Sequence, residues 1–426
     1  MTRTRIRLDC TSTAGSGINT GIQRVVRNVV ASSMSLSQAL GVDATPVVFD
    51  GRAFHAVAPR FAAGSGDATS RGLRSHVRAA ILAGRRHRIL RDTLLHDAAL
   101  GTVRRLAGDA RWQWRGARAS LRGEGGVAWH AGDWLVLLDS NWQADLRPAL
   151  RRARVAGARV CVVVYDLIHV RHPEYVSAGA AALYRRWFVR TLPLADRVVA
   201  ISRTVLADVQ AYLDECGISA AGKSFGWFHL GAELDHPGAA TAPQPALESF
   251  LGVSAAPLFM AVGTLEPRKD QAALLDAVER LWAAHADVRL LLLGRTGWGS
   301  DALVGRLAIH PERGRRLLWL ADASDADLET GYRAARAVVV ASRAEGFGLP
   351  IVEALRAGCA VIASALPVFI EVGGDAVRYF PPGDVAALAA ALADLARAAA
   401  EAPARPASPP TWDDATRALL APLAGQ

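Results

Sequence analysis

Lysine is almost missing from this chain. Of its 49 basic residues only Lys223 and Lys269 are lysine, and the rest are arginine. Where lysine persists against such a bias, a compact ammonium rather than a planar guanidinium is indicated. Cysteine is scarce as well. Cys10, Cys161, Cys216 and Cys359 are scattered without a CxxC pair, which argues against a disulfide framework or a zinc site and leaves four small buried hydrophobes. No apolar run reaches the roughly 18 residues expected of a membrane-spanning helix. The start, MTRTRIRLDC, runs from charge into a short apolar segment with no long hydrophobic region behind it, unlike a secretory signal. These absences lead to the expectation of a soluble, cytoplasmic protein.

The chain has 426 residues, 51% of them hydrophobic and 21% charged. That is globular composition, and the length fits two domains of about 200 residues each. The formal net charge of +9 is unevenly placed: between Arg71 and Arg122 thirteen arginines stand against three aspartates, Asp92, Asp97 and Asp109. The remainder is close to neutral. A concentrated excess of this kind marks an anionic partner. With Trp112 and Trp114 interleaved in ARWQWRGARASLRG, segment 71–122 reads as a membrane-surface or acceptor-docking stretch; a solvated arginine-rich face is the plainer alternative. No recognised nucleic-acid-binding helix or stacking fold surrounds these arginines, so nucleic acid is not an expected partner.

From Val155 onward short β-branched apolar runs alternate with longer amphipathic ones. RVCVVVYDL (159–167), DRVVAIS (196–202), LFMAVGT (258–264), VRLLLLG (288–294), AVVVAS (337–342) and AVIAS (360–364) read as strands buried on both faces. Helical stretches such as DQAALLDAVERLWAAH (270–285) lie between them. This rhythm predicts an α/β fold of doubly wound parallel sheets, with ligands at the carboxyl ends of the strands. The predicted layout is a first domain over 1–232 with an arginine-rich helical insertion at about 62–126, a linker over 233–257, a second domain over 258–400, and a Pro-rich connector with a terminal helix, capped by Thr411, over 401–426. The first strand, RIRLDCT (5–11), leads into a glycine-rich turn and an amphipathic helix.

The stretch RAEGFGLPIVEALRAGCAVIAS (343–364) carries the chemistry. Glu345 stands in the loop after a predicted strand, where such a sheet keeps its ligand. Gly346 and Gly348 permit close backbone approach, and Pro350 suits a first helical turn because its missing N–H costs nothing there. The helix ends at Gly358, a natural C′ residue. Free amides at its amino end make an anion site suited to a diphosphate. Glu353, one turn past Pro350, can accept hydrogen bonds from paired hydroxyls such as those of ribose. The plain alternative is that Glu353 complements the helix dipole and Glu345 is a loop charge.

EGFGLPIVEALRAGCAVIAS resembles the Glu-x7-Glu motif of the retaining nucleotide-sugar glycosyltransferases of family 4. VGTLEPRKDQAALLDA (262–277) is similar to that family's phosphate-binding segment, and LLLGRTGWG to its next strand and loop. YDLIHVRHPEY (165–175), VVAISRTVLADV (198–209) and TGIQRVVRNVV (20–30) resemble a subgroup rich in bacterial polysaccharide glycosyltransferases, including mannosyltransferases. The resemblance covers nearly the whole chain except the insertion. It implies the GT-B fold, two Rossmann-like domains facing across a cleft, with the donor bound mainly by the second.

By this resemblance Glu345 binds the donor sugar, Glu353 the ribose, and Gly346, Phe347, Gly348 and Leu349 the sugar and diphosphate. Lys269 matches the phosphate-binding lysine. Thr264 replaces the usual arginine after Gly263, and Arg268 supplies that charge instead; Gly294 and Arg295 complete the donor side. In the first domain a family histidine is replaced by Tyr165, leaving Asp166 and His169 as candidates. His172 is a further loop histidine, and a structural role is an equal reading for either. Gly15, Gly17, Gly21 and Arg24 are expected to face the diphosphate or acceptor. No DxD-type pair is assigned to a metal and no cofactor is expected beyond the nucleotide sugar, positively charged side chains taking the metal's place. The implied partners are a nucleotide sugar, best GDP-mannose, and a saccharide or lipid-linked acceptor, with peripheral contact at the inner membrane face through 71–122. The alternatives are another hexosyltransferase, a UDP-sugar 2-epimerase, or a non-catalytic sugar-nucleotide or anionic-surface binder.

Overall fold

A computed structural model describes residues 3–14, 21–58, 126–234, 242–398 and 409–425. Segment 71–122, Gly15 and Gly17 lie outside the described residues. The strands form two sheets. The first has seven strands in the order β3-β2-β1-β4-β5-β6-β7: β1 (Thr4–Asp9), β2 (Val42–Phe49), β3 (Phe54–Ala56), β4 (Trp134–Leu137), β5 (Arg159–Val164), β6 (Arg197–Ala200) and β7 (Ser224–Trp227). β1 pairs parallel with β2 and β4, while β3 runs antiparallel to β2. The second has six strands in the order β10-β9-β8-β11-β12-β13: β8 (Leu258–Val262), β9 (Arg289–Leu293), β10 (Leu317–Leu320), β11 (Ala337–Val340), β12 (Ala360–Ser364) and β13 (Val377–Phe380). All its pairs are parallel.

The second sheet shows why its strands read as continuous apolar runs. Side chains alternate between faces along a strand, and here each face has its own core. Phe259, Leu290, Leu292 and Val339 pack on one side with the helix Gln271–Ala283. Met260, Leu291, Leu293 and Val338 pack on the other with Ile351, Ala354 and Leu355 of the helix Leu349–Arg356. In the inner strands the polar residues therefore stand at the ends, as Arg289 of β9 and Ser364 of β12 do.

By packing, the chain divides into two compact units. One holds residues 1–162, 182–196 and 423–426, and the other 163–181 and 197–422. The second unit thus takes in the loop after β5 and the segment from β6 onward as well as the whole second sheet. Within the stretch read as a linker lies a helix, Pro245–Gly252, whose Leu247 and Phe250 enter the second sheet's core. The terminal helix is Trp412–Leu420, and Thr411 closes a capping box with Asp414 at its start.

Candidate active site

In the second sheet the chain winds outward from β8 through β9 to β10, then returns to build β11, β12 and β13 on the other side. The loops after β8 and β11 therefore open a crevice at the strands' carboxyl ends, where the winding direction reverses. Gly263 to Lys269 follow β8, and Ser342 to Leu349 follow β11.

Glu345 is the centre of charge in this crevice. Its carboxylate pairs with the Lys269 ammonium and, at 3.0 Å, with Arg268 Nη1. The Ser342 hydroxyl donates to it at 3.0 Å. Burial opposes ionisation, yet Lys269 and Arg268 outweigh it and hold the carboxyl down at about 2. Arg268 is half-buried; desolvation opposes its charge, but the carboxylates of Glu345, Glu266 and Asp166 around it push its pKa higher still. Its Nε donates to Glu266 at 2.9 Å. Two cations and the carboxylate expected to meet the sugar are thus gathered in one place.

The glycines explain how the loops come so close. A Cβ on Gly346 would stand 2.0 Å from the Tyr165 carbonyl oxygen and 3.0 Å from Asp166 Cβ, so the loop after β11 lies directly on the turn after β5. The Ser202 hydroxyl donates to the Gly346 carbonyl at 3.1 Å. Gly348 has φ +104 at the amino end of the helix Leu349–Arg356, and a side chain there would strike the Phe369 ring. Gly294, at φ +150, would place a Cβ 2.1 Å from the Gly263 carbonyl. The loops after β8 and β9 pack backbone to backbone.

The other predicted residues fall as follows. Lys269 lies alongside Gly263, with Cε 3.6 Å from where a Cβ would stand. Thr264 gives its carbonyl to the Gln271 amide at 3.1 Å. Arg295 pairs at 3.6 Å with the exposed Asp322. Phe347 is buried, its ring 5.6 Å from that of His229. Asp166 accepts from the Ile168 amide at 3.0 Å and stands 3.9 Å from His169 Nδ1. Glu353 is buried and accepts from the Tyr332 hydroxyl at 2.6 Å. In the other unit Gly21 opens the helix Gly21–Leu40, and the Arg24 carbonyl accepts from Asn28 at 3.0 Å.

Sequence reasoning passed over three contributors. Ser342 stands in the loop after β11, three residues before Glu345, a placement that reading the loop polar atom by polar atom would have exposed. Tyr332 and Glu371 are separated from their partners by whole elements. Glu371 accepts from the Arg203 amide at 2.7 Å and the Thr204 amide at 2.9 Å, and pairs with His229 at 2.8 Å. It ties the helix Arg203–Glu215 to the Phe347 side of the site. An Asp-x-Asp string, Asp325 to Asp327, opens a helix, where Asp327 closes a capping box with Ser324. Among the described residues no group of three or more His, Cys, Asp or Glu is arranged to hold a metal ion.

Residues 250–406 match the family model described as glycosyl transferases group 1. The serotype-specific mannosyltransferase WbdA of Escherichia coli is 36% identical over 262 residues, 59% of this chain and 32% of that protein. The O-antigen chain mannosyltransferase B of Escherichia coli is 41% identical over 133 residues, 30% of this chain and 34% of the other. The chain thus spans about a third of the length of the curated relatives it matches. Among solved structures, sucrose-phosphate synthase from Thermosynechococcus elongatus superposes with a TM-score of 0.53 at 18% identity, over 97% of this chain and 92% of that one. With its two parallel-sheet α/β domains, the fold is that of the GT-B glycosyltransferases.

Proposed function

We infer, for a chain whose carboxyl-terminal part is a group 1 glycosyltransferase domain, that it is a retaining hexosyltransferase moving mannose from GDP-mannose to a saccharide or lipid-linked acceptor in surface-polysaccharide synthesis. The observation that carries the reading is the Glu345–Lys269–Arg268 cluster at the sheet's switch point. The choice of mannose is supported by the names of the relatives matched over this chain.

In this reading Glu345, ionised throughout the physiological range, accepts hydrogen bonds from the donor sugar. Lys269 and Arg268 meet the diphosphate, together with the amides that open the helix Leu349–Arg356, and offset the charge that grows as the glycosidic bond breaks. The compact ammonium suits a diphosphate oxygen. Breaking that bond first gives an oxocarbenium-like transition state. The departing phosphate takes the acceptor's proton as the new bond forms on the same face. Glu353 meets the ribose hydroxyls, and Asp166 with His169 stands on the sugar side, next to Gly346.

The test is thermal unfolding of the purified chain with GDP, UDP, dTDP, ADP and their common sugar conjugates. A ligand that binds only the folded state raises the midpoint by mass action. Stabilisation by GDP and GDP-mannose alone is expected; selective stabilisation by UDP-sugars would replace the donor, and indifference to every nucleotide would overturn the transferase reading. The mannosyl product with a lipid-linked saccharide acceptor then distinguishes transfer from epimerisation.

A further inference from the structure

The carboxylate assigned to the ribose does not stand alone. Glu353 and Tyr332 are both buried, and the phenol donates to Glu353 Oε2 at 2.6 Å. The helix that carries Tyr332 is fixed at its start and along its length. It lies in the helix Asp325–Ala334, whose start is closed by the Ser324–Asp327 capping box. The Gln244 amide and side chain both reach Asp327, at 2.7 and 3.0 Å. Next to Tyr332, Gly331 lies so close to β8 that a Cβ would stand 2.5 Å from Met260 Sδ. A phenol carried on so fixed a helix sets the rotation of the carboxyl group it touches, because a short hydrogen bond is strong and directional in a buried site.

We propose that Tyr332 is a positioning residue for nucleotide recognition: its hydroxyl orients Glu353, and through Glu353 the hydroxyls of the nucleotide ribose. The inference rests on the assignment of Glu353 to the ribose. Tyr332 touches no ligand itself, so its loss costs affinity only for nucleotides that carry those hydroxyls. A merely structural tyrosine would weaken every nucleotide alike.

The experiment compares binding of GDP and 2′,3′-dideoxy-GDP to the native chain, Tyr332→Phe, Glu353→Gln and the double variant, with unfolding of each ligand-free protein measured alongside. The native chain is expected to prefer GDP. Tyr332→Phe, which keeps the ring, should lose about tenfold for GDP, the scale of one charge-assisted hydrogen bond, and less than about twofold for the dideoxy form. In the Glu353→Gln background the same change should do nothing further. If Glu353→Gln abolishes the preference and Tyr332→Phe leaves it whole, the inference fails while the ribose assignment stands. A full preference kept by Glu353→Gln, or no GDP binding by the native chain, would sink both. Should Tyr332→Phe fail to fold, Tyr332→His supplies a second ring of different reach, and a preserved GDP preference in it overturns the inference equally.

Discussion

Arginine surrounds the chemistry of this molecule, and Lys269 is the exception that matters. It shares Glu345 with Arg268 and sits where the loop after β8 leaves little room, beside Gly263. A guanidinium is longer, planar and bidentate, so Lys269→Arg keeps the charge and changes its location. Lys269→Ala is expected to weaken GDP binding by about 2 kcal/mol, the scale of a hydrogen bond to a charged group. Lys269→Arg should recover less than half of that, as read by calorimetric titration; full recovery would show that charge alone is needed. Glu345 is the complementary case. With its carboxyl held at about 2 by the two cations against the cost of burial, its contribution to stability is complete above its ordinary value near 4.5 and is lost as pH falls toward 2. Over the neutral range Glu345→Ala should therefore abolish transfer without altering the pH dependence of unfolding.

Elements meet in this fold through backbones that side chains would hold apart. Gly346→Ala places a methyl against the Tyr165 carbonyl, a backbone atom that cannot swing aside. The expected cost is on the order of 1–3 kcal/mol of stability, with a larger loss of turnover because the loop bearing Glu345 must shift; unchanged unfolding and rate would refute the packing. A second junction joins β1 to β4. Asp9 ends β1 and Asp139 stands in the loop after β4: Asp9 accepts from Thr11 Oγ1 and Asn141 Nδ2, each at 2.5 Å, and Asp139 from the Thr13 amide at 2.6 Å. Burial first, and the neighbouring Asp139 second, push Asp9 up to about 7. Burial also raises Asp139. A carboxyl raised in the folded state favours folding at low pH and loses that advantage as pH rises through the folded value. Stability should thus fall from about pH 4 to 7 by a few kcal/mol on the scale of one shifted group, and Asp9→Asn should flatten the fall. An unaltered profile by urea unfolding would show that the pair is not the source. These junctions mark where sequence reading stops. Runs such as AVIAS and RVCVVV announced β12 and β5 because both sheet faces are buried. The Glu-x7-Glu spacing brought Glu345 and Glu353 to attention because a loop and a helix turn lie between them. The helix Pro245–Gly252 was hidden among prolines and alanines, and Tyr332–Glu353 or Glu371–His229 pair only once separate helices have packed.

At the scale of the whole molecule, the charge has an address. The chain's net charge of +9 is matched by a local excess of ten between Arg71 and Arg122, so the rest contributes almost nothing to a long-range field. No helix among the described residues is long and apolar enough to cross a membrane. An arginine-rich segment with Trp112 and Trp114 is suited to the anionic surface at which a lipid-linked acceptor would lie. Each basic residue near such a surface contributes about 1 kcal/mol, fading within a Debye length of about 8 Å at physiological salt. The full chain is therefore expected to sediment with vesicles containing about 30% phosphatidylglycerol at low ionic strength and to release as salt approaches about 0.5 M, where screening shortens that length. A variant with Arg111, Arg115, Arg118 and Arg122 changed to glutamine should release at lower salt while its thermal response to GDP stays the same. Neutral phosphatidylcholine vesicles should retain neither protein. Equal retention on neutral vesicles would assign the contact to apolar insertion, and salt-sensitive binding to duplex DNA in preference to the vesicles would move the arginines from a lipid partner to a nucleic acid.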